Sequence, residues 1–170
     1  MSAKPSDSST PLLRDLVPPL LLDENLSSPE IGAWLRRFPN EWQIELHTDH
    51  LTRGLPDVDV IRECGERGWT LVSCDDRIRY VPANKAALLK HRVRAFMFGK
   101  GNYQGIEYAA ALVVGRAQVL NAIRKNHGPF MARIQRNGDV QMLEPKDNAA
   151  GEVSSREKTK RKYGAHVLET

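Results

Sequence analysis

Two short apolar runs in this chain each end at an aspartate. The run from Leu20 to Leu22 is followed directly by Asp23, and the run that begins at Leu71 is followed by Asp75. Short apolar runs bounded by turn residues are typical of strands buried inside a sheet. In open α/β folds the carboxyl ends of such strands meet at one edge, where ligands bind. The sequence therefore predicts an α/β fold with an acidic site at that edge.

Strand and helix patterns alternate along the middle of the 170-residue chain. We predict strands over residues 17–22, 42–46, 69–73 and 93–98, helices over 29–38, 57–67, 82–91 and 106–123, a loop over 47–56, and a closing hairpin over 130–143. The dipeptide Asn137 and Gly138 is typical of a tight hairpin turn. Strand–helix units followed by a hairpin predict a three-layer α/β fold, with a mainly parallel central sheet and helices on both faces.

The two ends of the chain differ in composition from the middle. We expect residues 1–16 and 145–170 to be disordered segments around one domain at 17–144, and the 41% apolar content is enough for one sizeable core. The net charge is +4, and the segment Arg156–Lys162 holds five basic residues and one acidic residue. This segment fits a solvated basic tail or, alternatively, an auxiliary contact with nucleic acid.

The sequence also bears on where in the cell the protein is located. No run of about 18 apolar residues is present, so no membrane span is expected, and the first ten residues lack a signal-peptide pattern. The two cysteines, Cys64 and Cys74, have no zinc-binding spacing, and we expect no structural disulfide between them. These features favour a cytoplasmic protein.

A third aspartate lies between the two strand ends. Asp57 starts a predicted helix and, taken alone, fits a helix N-cap, just as Asp23 and Asp75 taken alone fit strand-to-loop residues. Together the three carboxylates would repel one another unless a cation lay among them. Oxygen ligands of this kind suit Mg²⁺ or Mn²⁺. The set therefore predicts a metal-dependent enzyme that acts on phosphate esters.

The stretch from Asp57 to Asp75 resembles the PIN-domain nucleases. It has an aspartate at a helix start, a glycine turn, a strand, and Ser73 two residues before Asp75, in the place of the family's Thr/Ser-x-Asp. The segment Leu22–Leu26 resembles the family's opening strand motif. Its Asp-Glu-Asn sequence, the short gap to Asp57 and the closing hairpin are similar to the compact group that includes VapC-type toxins. The resemblance covers residues 18–143.

The resemblance implies a ribonuclease that uses Mg²⁺ or Mn²⁺ to activate water for phosphodiester cleavage. The implied metal ligands are Asp23, Asp57 and Asp75, with Ser73 orienting the site through its hydroxyl and with Glu24 and Asp76 assisting through water. The implied partners are an RNA substrate, a cognate antitoxin and a second copy of the chain in a homodimer.

Three basic residues follow the predicted strand ends. Arg77, Arg79 and Lys100 are candidates for contacts with RNA phosphates, and solvated loop charges are an equal alternative. Tyr103, near Lys100, is a candidate for base stacking or for simple loop packing. The histidines show no metal-binding spacing, so no zinc site is expected.

Two other functions stay open. The first is a PIN-like binding or assembly module without catalytic activity, because the further acid that many PIN domains carry has no clear counterpart here. The second is a receiver-type phosphoacceptor domain, with Asp23 and Glu24 as a metal-binding pair, Asp75 as the phosphorylated residue and Lys100 as the basic partner. The closing hairpin disagrees with that second fold, and Asp57 would have no role in it.

Overall fold

The computed structural model describes residues 17–38 and 42–143. In chain order the elements are β1 (Leu20–Leu22), α1 (Pro29–Leu35), β2 (Ile44–Leu46), α2 (His47–His50), α3 (Asp57–Arg67), β3 (Thr70–Ser73), α4 (Pro82–Lys90), β4 (Arg94–Phe98), α5 (Gly105–Val114), α6 (Arg116–Lys125), β5 (Phe130–Ile134) and β6 (Val140–Leu143), with a 3₁₀ turn at Asp76–Arg79. The terminal segments predicted to be disordered, 1–16 and 145–170, lie outside the described residues.

The six strands within residues 17–38 and 42–143 form one sheet in the order β2-β1-β3-β4-β5-β6. The first five run parallel to their neighbours, and β6 runs antiparallel to β5. The predicted mainly parallel sheet with a C-terminal hairpin is therefore confirmed. The chain moves from β1 to β2 on one side and then returns to β3 on the other, so the sheet has a topological switch point between β1 and β3. Open α/β folds bind their ligands at this point.

Helices cover both faces of the sheet, because the strand side chains alternate between two apolar cores. Leu22 and Phe96 belong to the core under α1, α5 and α6. Leu21 and Met97 belong to the opposite core, under α3 and α4. This arrangement confirms the predicted three-layer α/β fold. Within the described part of the chain, no helix is long and apolar enough to cross a lipid bilayer.

The long helix predicted over residues 106–123 is wrong, because the structure has two helices that meet at Gly115. A Cβ atom on Gly115 would lie 2.3 Å from the carbonyl oxygen of Gly138. Gly138 lies in the turn of the closing hairpin and has a φ of +86°. The hairpin turn therefore packs directly against the backbone between the two helices. Helical periodicity alone does not reveal this tertiary contact.

The first helix is shorter than predicted, since α1 ends at Leu35 rather than at residue 38, and the loop after β2 also differs from the prediction. Ser28 is the N-cap of α1, since its hydroxyl accepts a hydrogen bond from the backbone N–H of Ile31 at 3.0 Å. The neighbouring Ser27 is buried, and its hydroxyl donates to the carbonyl oxygen of Leu22 and accepts from the backbone N–H of His47, both at 2.8 Å. Ser27 thus ties the end of β1 to the end of β2. The segment predicted as a loop begins with the short helix α2.

Candidate active site

An acidic pocket lies at the carboxyl edge of the sheet, at the switch point between β1 and β3. Its lining residues are Asp23, Glu24, Asn25, His47, Leu55, Asp57, Val60, Leu71, Ser73, Asp75, Arg77 and Ile78. Six residues of the predicted site are among them: Asp23, Glu24, Asp57, Ser73, Asp75 and Arg77. Three others, Asp76, Arg79 and Lys100, are not.

The Asp23 carboxylate is held by donors from two chain segments. β1 and β3 are aligned so that Asp23 and Ser73 lie side by side beyond the last apolar pair. The Ser73 hydroxyl donates to one carboxylate oxygen, and the backbone N–H of Cys74 donates to the same oxygen at 3.1 Å. The other oxygen accepts from the backbone N–H of Leu26 at 3.1 Å. The direction of this carboxylate is therefore set by the ends of two strands.

Ser73 joins two of the aspartates. Its buried hydroxyl donates to Asp23 and accepts from the backbone N–H of Asp75 at 2.9 Å. This is a geometric basis for the orienting role that the family resemblance implies for Ser73. Its effect on a reaction stays a prediction.

Asp75 is bonded to Arg77. One carboxylate oxygen accepts from the Arg77 backbone N–H at 2.8 Å and from its Nε at 3.1 Å, while the other accepts from Nε at 3.0 Å and from a terminal nitrogen at 2.8 Å. Asp75 thereby caps the 3₁₀ turn that follows it. The hydrogen bonds from Arg77 lower the pKa of the Asp75 carboxyl below its usual value.

Asp57 enters the pocket as the first residue of α3. The N-cap position belongs to Pro56, and Asp57 is already the first helical residue, so the predicted N-cap role of Asp57 is wrong. The Asp57 carboxylate accepts a hydrogen bond from the side-chain nitrogen of Asn84 at 3.0 Å. Asn84 lies buried on α4. The direction of Asp57 is thus fixed by the neighbouring helix.

Burial changes the proton affinity of two groups in and beside the pocket. Burial raises the pKa of the Asp23 carboxyl, even though its hydrogen bonds act in the opposite direction. A carboxylate in this environment is stabilised by a proton or by a nearby cation. Burial, together with the Asp23 charge, also raises the pKa of the Cys74 thiol to about 12. The thiol is therefore protonated at neutral pH, which disfavours Cys74 as a nucleophile.

Two acids beside the predicted metal ligands have different surroundings. Glu24 lines the pocket and accepts a hydrogen bond from the backbone N–H of Gly54 at 2.8 Å. Asp76 pairs instead with Arg133 of β5 at 3.5 Å. One Asp76 carboxylate oxygen and the Arg133 Nε are buried without a hydrogen-bond partner. Asp76 is therefore directed away from the pocket, toward β5.

Two of the predicted substrate-binding residues lie outside the pocket. The Arg79 guanidinium lies 4.7 Å from the ring centre of Tyr80. Lys100 is exposed in the turn after β4. A receiver-type site needs its lysine beside the acids, so the position of Lys100 and the antiparallel β6 both disagree with that alternative.

The three aspartates line one pocket, and each is hydrogen-bonded to another group of the chain. Among the described residues, no group of three or more His, Cys, Asp and Glu side chains is arranged to hold a metal ion. The convergence of Asp23, Asp57 and Asp75 on one ion therefore stays a prediction, and in this structure each carboxylate accepts a hydrogen bond from another group of the chain. The donor set itself, with three carboxylates and a hydroxyl in one pocket, fits a cation that prefers oxygen ligands. Metal binding stays a prediction.

Sequence reasoning missed His47, which also lines the pocket. His47 directly follows the last residue of β2, so the strand-end rule that selected Asp23 applies to it as well. The residue is 1% exposed, and its Nδ1 has no hydrogen-bond partner. Histidine spacing along the chain does not reveal this position, whereas its place in the sheet does.

Comparison with known proteins agrees with this geometry. Residues 18–100 match the model of a family described as a PIN-like domain. No curated protein and no solved structure gives a significant match to the chain. The matched segment contains the first four strands and every carboxylate that lines the pocket. The chain thus carries a PIN-like domain, with its acidic pocket at the switch point of the sheet.

Proposed function

We propose that this protein is a divalent-metal-dependent endoribonuclease that cleaves RNA at the acidic pocket. The observation that carries the proposal is the meeting of Asp23, Asp57 and Asp75 in one pocket of a PIN-like domain, although they come from three separate elements. Surface acids are not expected to gather at the switch point of a sheet without a ligand, because their charges repel one another.

The residues that would hold Mg²⁺ or Mn²⁺ are Asp23, Asp57 and Asp75, with Glu24 at the rim. Once bound, such an ion would act as a Lewis acid, activating water and offsetting the charge of the scissile phosphate. Ser73 keeps the Asp23 carboxylate in its direction. To hold the ion, Asp57 and Asp75 would have to give up their hydrogen bonds to Asn84 and Arg77.

The test is cleavage of a fluorescently labelled single-stranded RNA with Mg²⁺ or Mn²⁺, with and without excess chelator. We expect Asp23→Asn and Asp75→Asn each to lower the rate by about 100-fold or more, since each removes a negative charge that offsets the ion. Asp59→Asn is the matched control: Asp59 lies on α3 like Asp57 but pairs with Arg62 at 2.7 Å outside the pocket.

The control variant should retain full activity, and circular dichroism should show that all variants are folded. Cleavage that persists in both site variants, or in excess chelator, would contradict the proposal.

A finer proposal concerns the biological role. The likeness of the Asp-Glu-Asn motif to VapC-type toxins supports a toxin that acts on RNA in the cytoplasm, pairs with a cognate antitoxin and forms homodimers. An antitoxin arginine or lysine inserted among the carboxylates would block the pocket, since a cation there meets the same electrostatic demand as the metal. The bonding of Arg77 to Asp75 supports the idea that the pocket accepts a guanidinium.

Growth of a bacterial host tests this role. Expression of the wild-type chain should slow growth, expression of Asp75→Asn should not, and co-expression of a small neighbouring gene should restore growth. Harmless expression of an active ribonuclease would contradict the toxin role and leave the nuclease proposal standing.

One observation favours a second candidate function, a PIN-like binding or assembly module without catalysis. All three aspartates have internal hydrogen-bond partners in the present conformation. Under this alternative the pocket would stay closed to metal, and RNA or a protein would bind elsewhere on the domain. RNA binding without cleavage in Mg²⁺ and in Mn²⁺ would favour the module over the nuclease.

A further inference from the structure

Arg77 bonds to Asp75 through three different donor groups. The backbone N–H, the Nε and one terminal nitrogen of Arg77 together reach both carboxylate oxygens, at distances of 2.8 to 3.1 Å. The planar fork of a guanidinium matches the geometry of a carboxylate, and such paired hydrogen bonds are among the stronger ones. Both oxygens of a proposed metal ligand are therefore engaged by a cation that belongs to the same chain.

The position of Arg77 allows this cation to leave. Its side chain is 83% exposed, whereas that of Asp75 is only 22% exposed. Arg77 also lines the pocket together with Asp57, whose charge acts on the guanidinium in addition to that of Asp75. Because the guanidinium is exposed, water can replace its hydrogen bonds, so the Arg77 side chain can leave Asp75 while its backbone stays in the 3₁₀ turn.

We propose, building on the metal-dependent function above, that Arg77 is an exchangeable cation of the acidic pocket. It holds Asp75 while the pocket lacks metal, and a divalent ion that binds Asp75 releases it. The released guanidinium then lies at the mouth of the pocket with its donors free. The fork that fits a carboxylate also fits a phosphate, so one side chain couples metal binding to the binding of the RNA backbone.

The neighbouring cations do not share this arrangement. Arg79, two residues further along the same turn, lies over the ring of Tyr80 and outside the pocket lining. Arg133 pairs with Asp76, which is directed away from the pocket. The exchange therefore belongs to Arg77.

The first measurement is the affinity of the full-length protein for Mn²⁺, by isothermal titration calorimetry without RNA. Arg77→Gln removes the fork and keeps the backbone N–H that completes the 3₁₀ turn. Arg62→Gln is the matched control, because Arg62 is an exposed arginine of α3 that pairs with Asp59 outside the pocket. We expect Arg77→Gln to bind Mn²⁺ more tightly by about fivefold and Arg62→Gln to stay within about twofold of the wild type. Equal affinities for all three proteins, or equal shifts in both variants, would overturn the proposal.

The second measurement follows the Arg77 side chain directly. In NMR spectra of the wild-type protein, the Arg77 Nε–H should exchange slowly with water in the absence of metal and quickly with saturating Mg²⁺. An exchange rate that does not change on Mg²⁺ binding would overturn the role of Arg77 alone. Failure of both the wild type and Arg77→Gln to bind either ion at millimolar concentration would overturn the metal-dependent function as well.

Discussion

The carboxyl edge of the sheet carries two polar regions that are built in different ways. At β1 and β3, the acidic pocket holds buried or half-buried carboxylates whose directions are set by backbone amides and by Ser73. Beyond β4 and β5 lies a second region, which we call the tyrosine patch: Lys100, Tyr103, Tyr108 and Arg136. In this patch Tyr103 stacks on Tyr108 with ring centres 4.8 Å apart, and the Arg136 guanidinium lies 4.6 Å from the Tyr103 ring centre.

Contacts between two loops and the start of α5 hold the tyrosine patch together. Arg136, in the turn of the closing hairpin, donates to the carbonyl oxygen of Asn102 at 2.9 Å and pairs with Glu107 at 3.3 Å. Gly101 lets the loop close on the aromatic ring, since a Cβ there would lie 2.9 Å from Tyr103. The Arg136 side chain nevertheless stays 57% exposed.

The difference between the acidic pocket and the tyrosine patch shows where this fold holds side chains rigidly and where it allows them to change conformation. A reaction needs side chains held in fixed directions, which helices and strands provide. Contacts with a flexible ligand can instead be made by side chains on loops. If RNA is the substrate, changes in the acidic pocket should mainly alter the rate of cleavage. Changes in the tyrosine patch should mainly alter the affinity for RNA.

Among the substitutions that test this difference between the acidic pocket and the tyrosine patch, Ser73→Ala is expected to have the largest effect. The change removes a buried hydroxyl that serves both Asp23 and Asp75, so the free energy of unfolding should fall by about 1–3 kcal/mol, and kcat for RNA cleavage should fall with it. Urea unfolding and single-turnover cleavage measure the two effects. Ser73→Thr keeps the hydroxyl and is the control. An alanine variant as stable and as active as wild type would show that Ser73 does not orient the pocket.

A smaller effect is expected from Lys100→Ala and Arg136→Ala in the tyrosine patch. Each should raise KM for single-stranded RNA a few-fold and leave kcat nearly unchanged. Each should also lower the slope of log affinity against log salt by about one, as expected for one lost phosphate contact.

Lys125→Ala is the control for these two substitutions. Lys125 is exposed at the end of α6, just before β5 begins, and so lies at the opposite edge of the sheet. A fall in kcat at constant KM for either patch variant would contradict the prediction that the tyrosine patch affects RNA affinity and the acidic pocket affects the rate.

The last prediction concerns pH and separates two acids inside the pocket. Burial raises the pKa of Asp23 above its usual value of 3.8, so the folded state binds this proton more tightly than the unfolded state does. The free energy of unfolding should therefore fall as the pH rises from 3.8 through the folded pKa. Asp75 has a lowered pKa. Its contribution to the free energy of unfolding is present above pH 3.8 and is lost as the pH falls through the pKa of Asp75 in the folded state.

Urea unfolding of the wild type and of Asp23→Asn between about pH 3 and about pH 7 tests this assignment. In the variant, the free energy of unfolding should no longer fall as the pH rises above 3.8, and it should still fall as the pH drops below 3.8, where Asp75 is responsible. Parallel curves for the two proteins across the whole range would show that Asp23 is not the group responsible.

The sequence was enough to predict the layers of the fold and the strand-end acids, because both follow from local patterns. Apolar runs identify buried strands wherever they occur, and a residue that follows such a run must lie at the edge of the sheet. The partners of these acids could not be predicted in the same way. Asn84 reaches Asp57 from another helix, and the break at Gly115 depends on a distant hairpin turn. Contacts of this kind depend on how the layers pack.

The alignment of strand ends has a consequence for folding errors. Side chains of a strand alternate between the two faces of the sheet, so a slip of β1 by one residue would exchange Asp23 with Leu22. A carboxylate would then enter the apolar core under α1, and Ser73 would face a leucine. The slipped chain would lose both its buried packing and its pocket. Correct strand register and an intact acidic pocket are therefore inseparable in this protein, and a misaligned copy would be unstable.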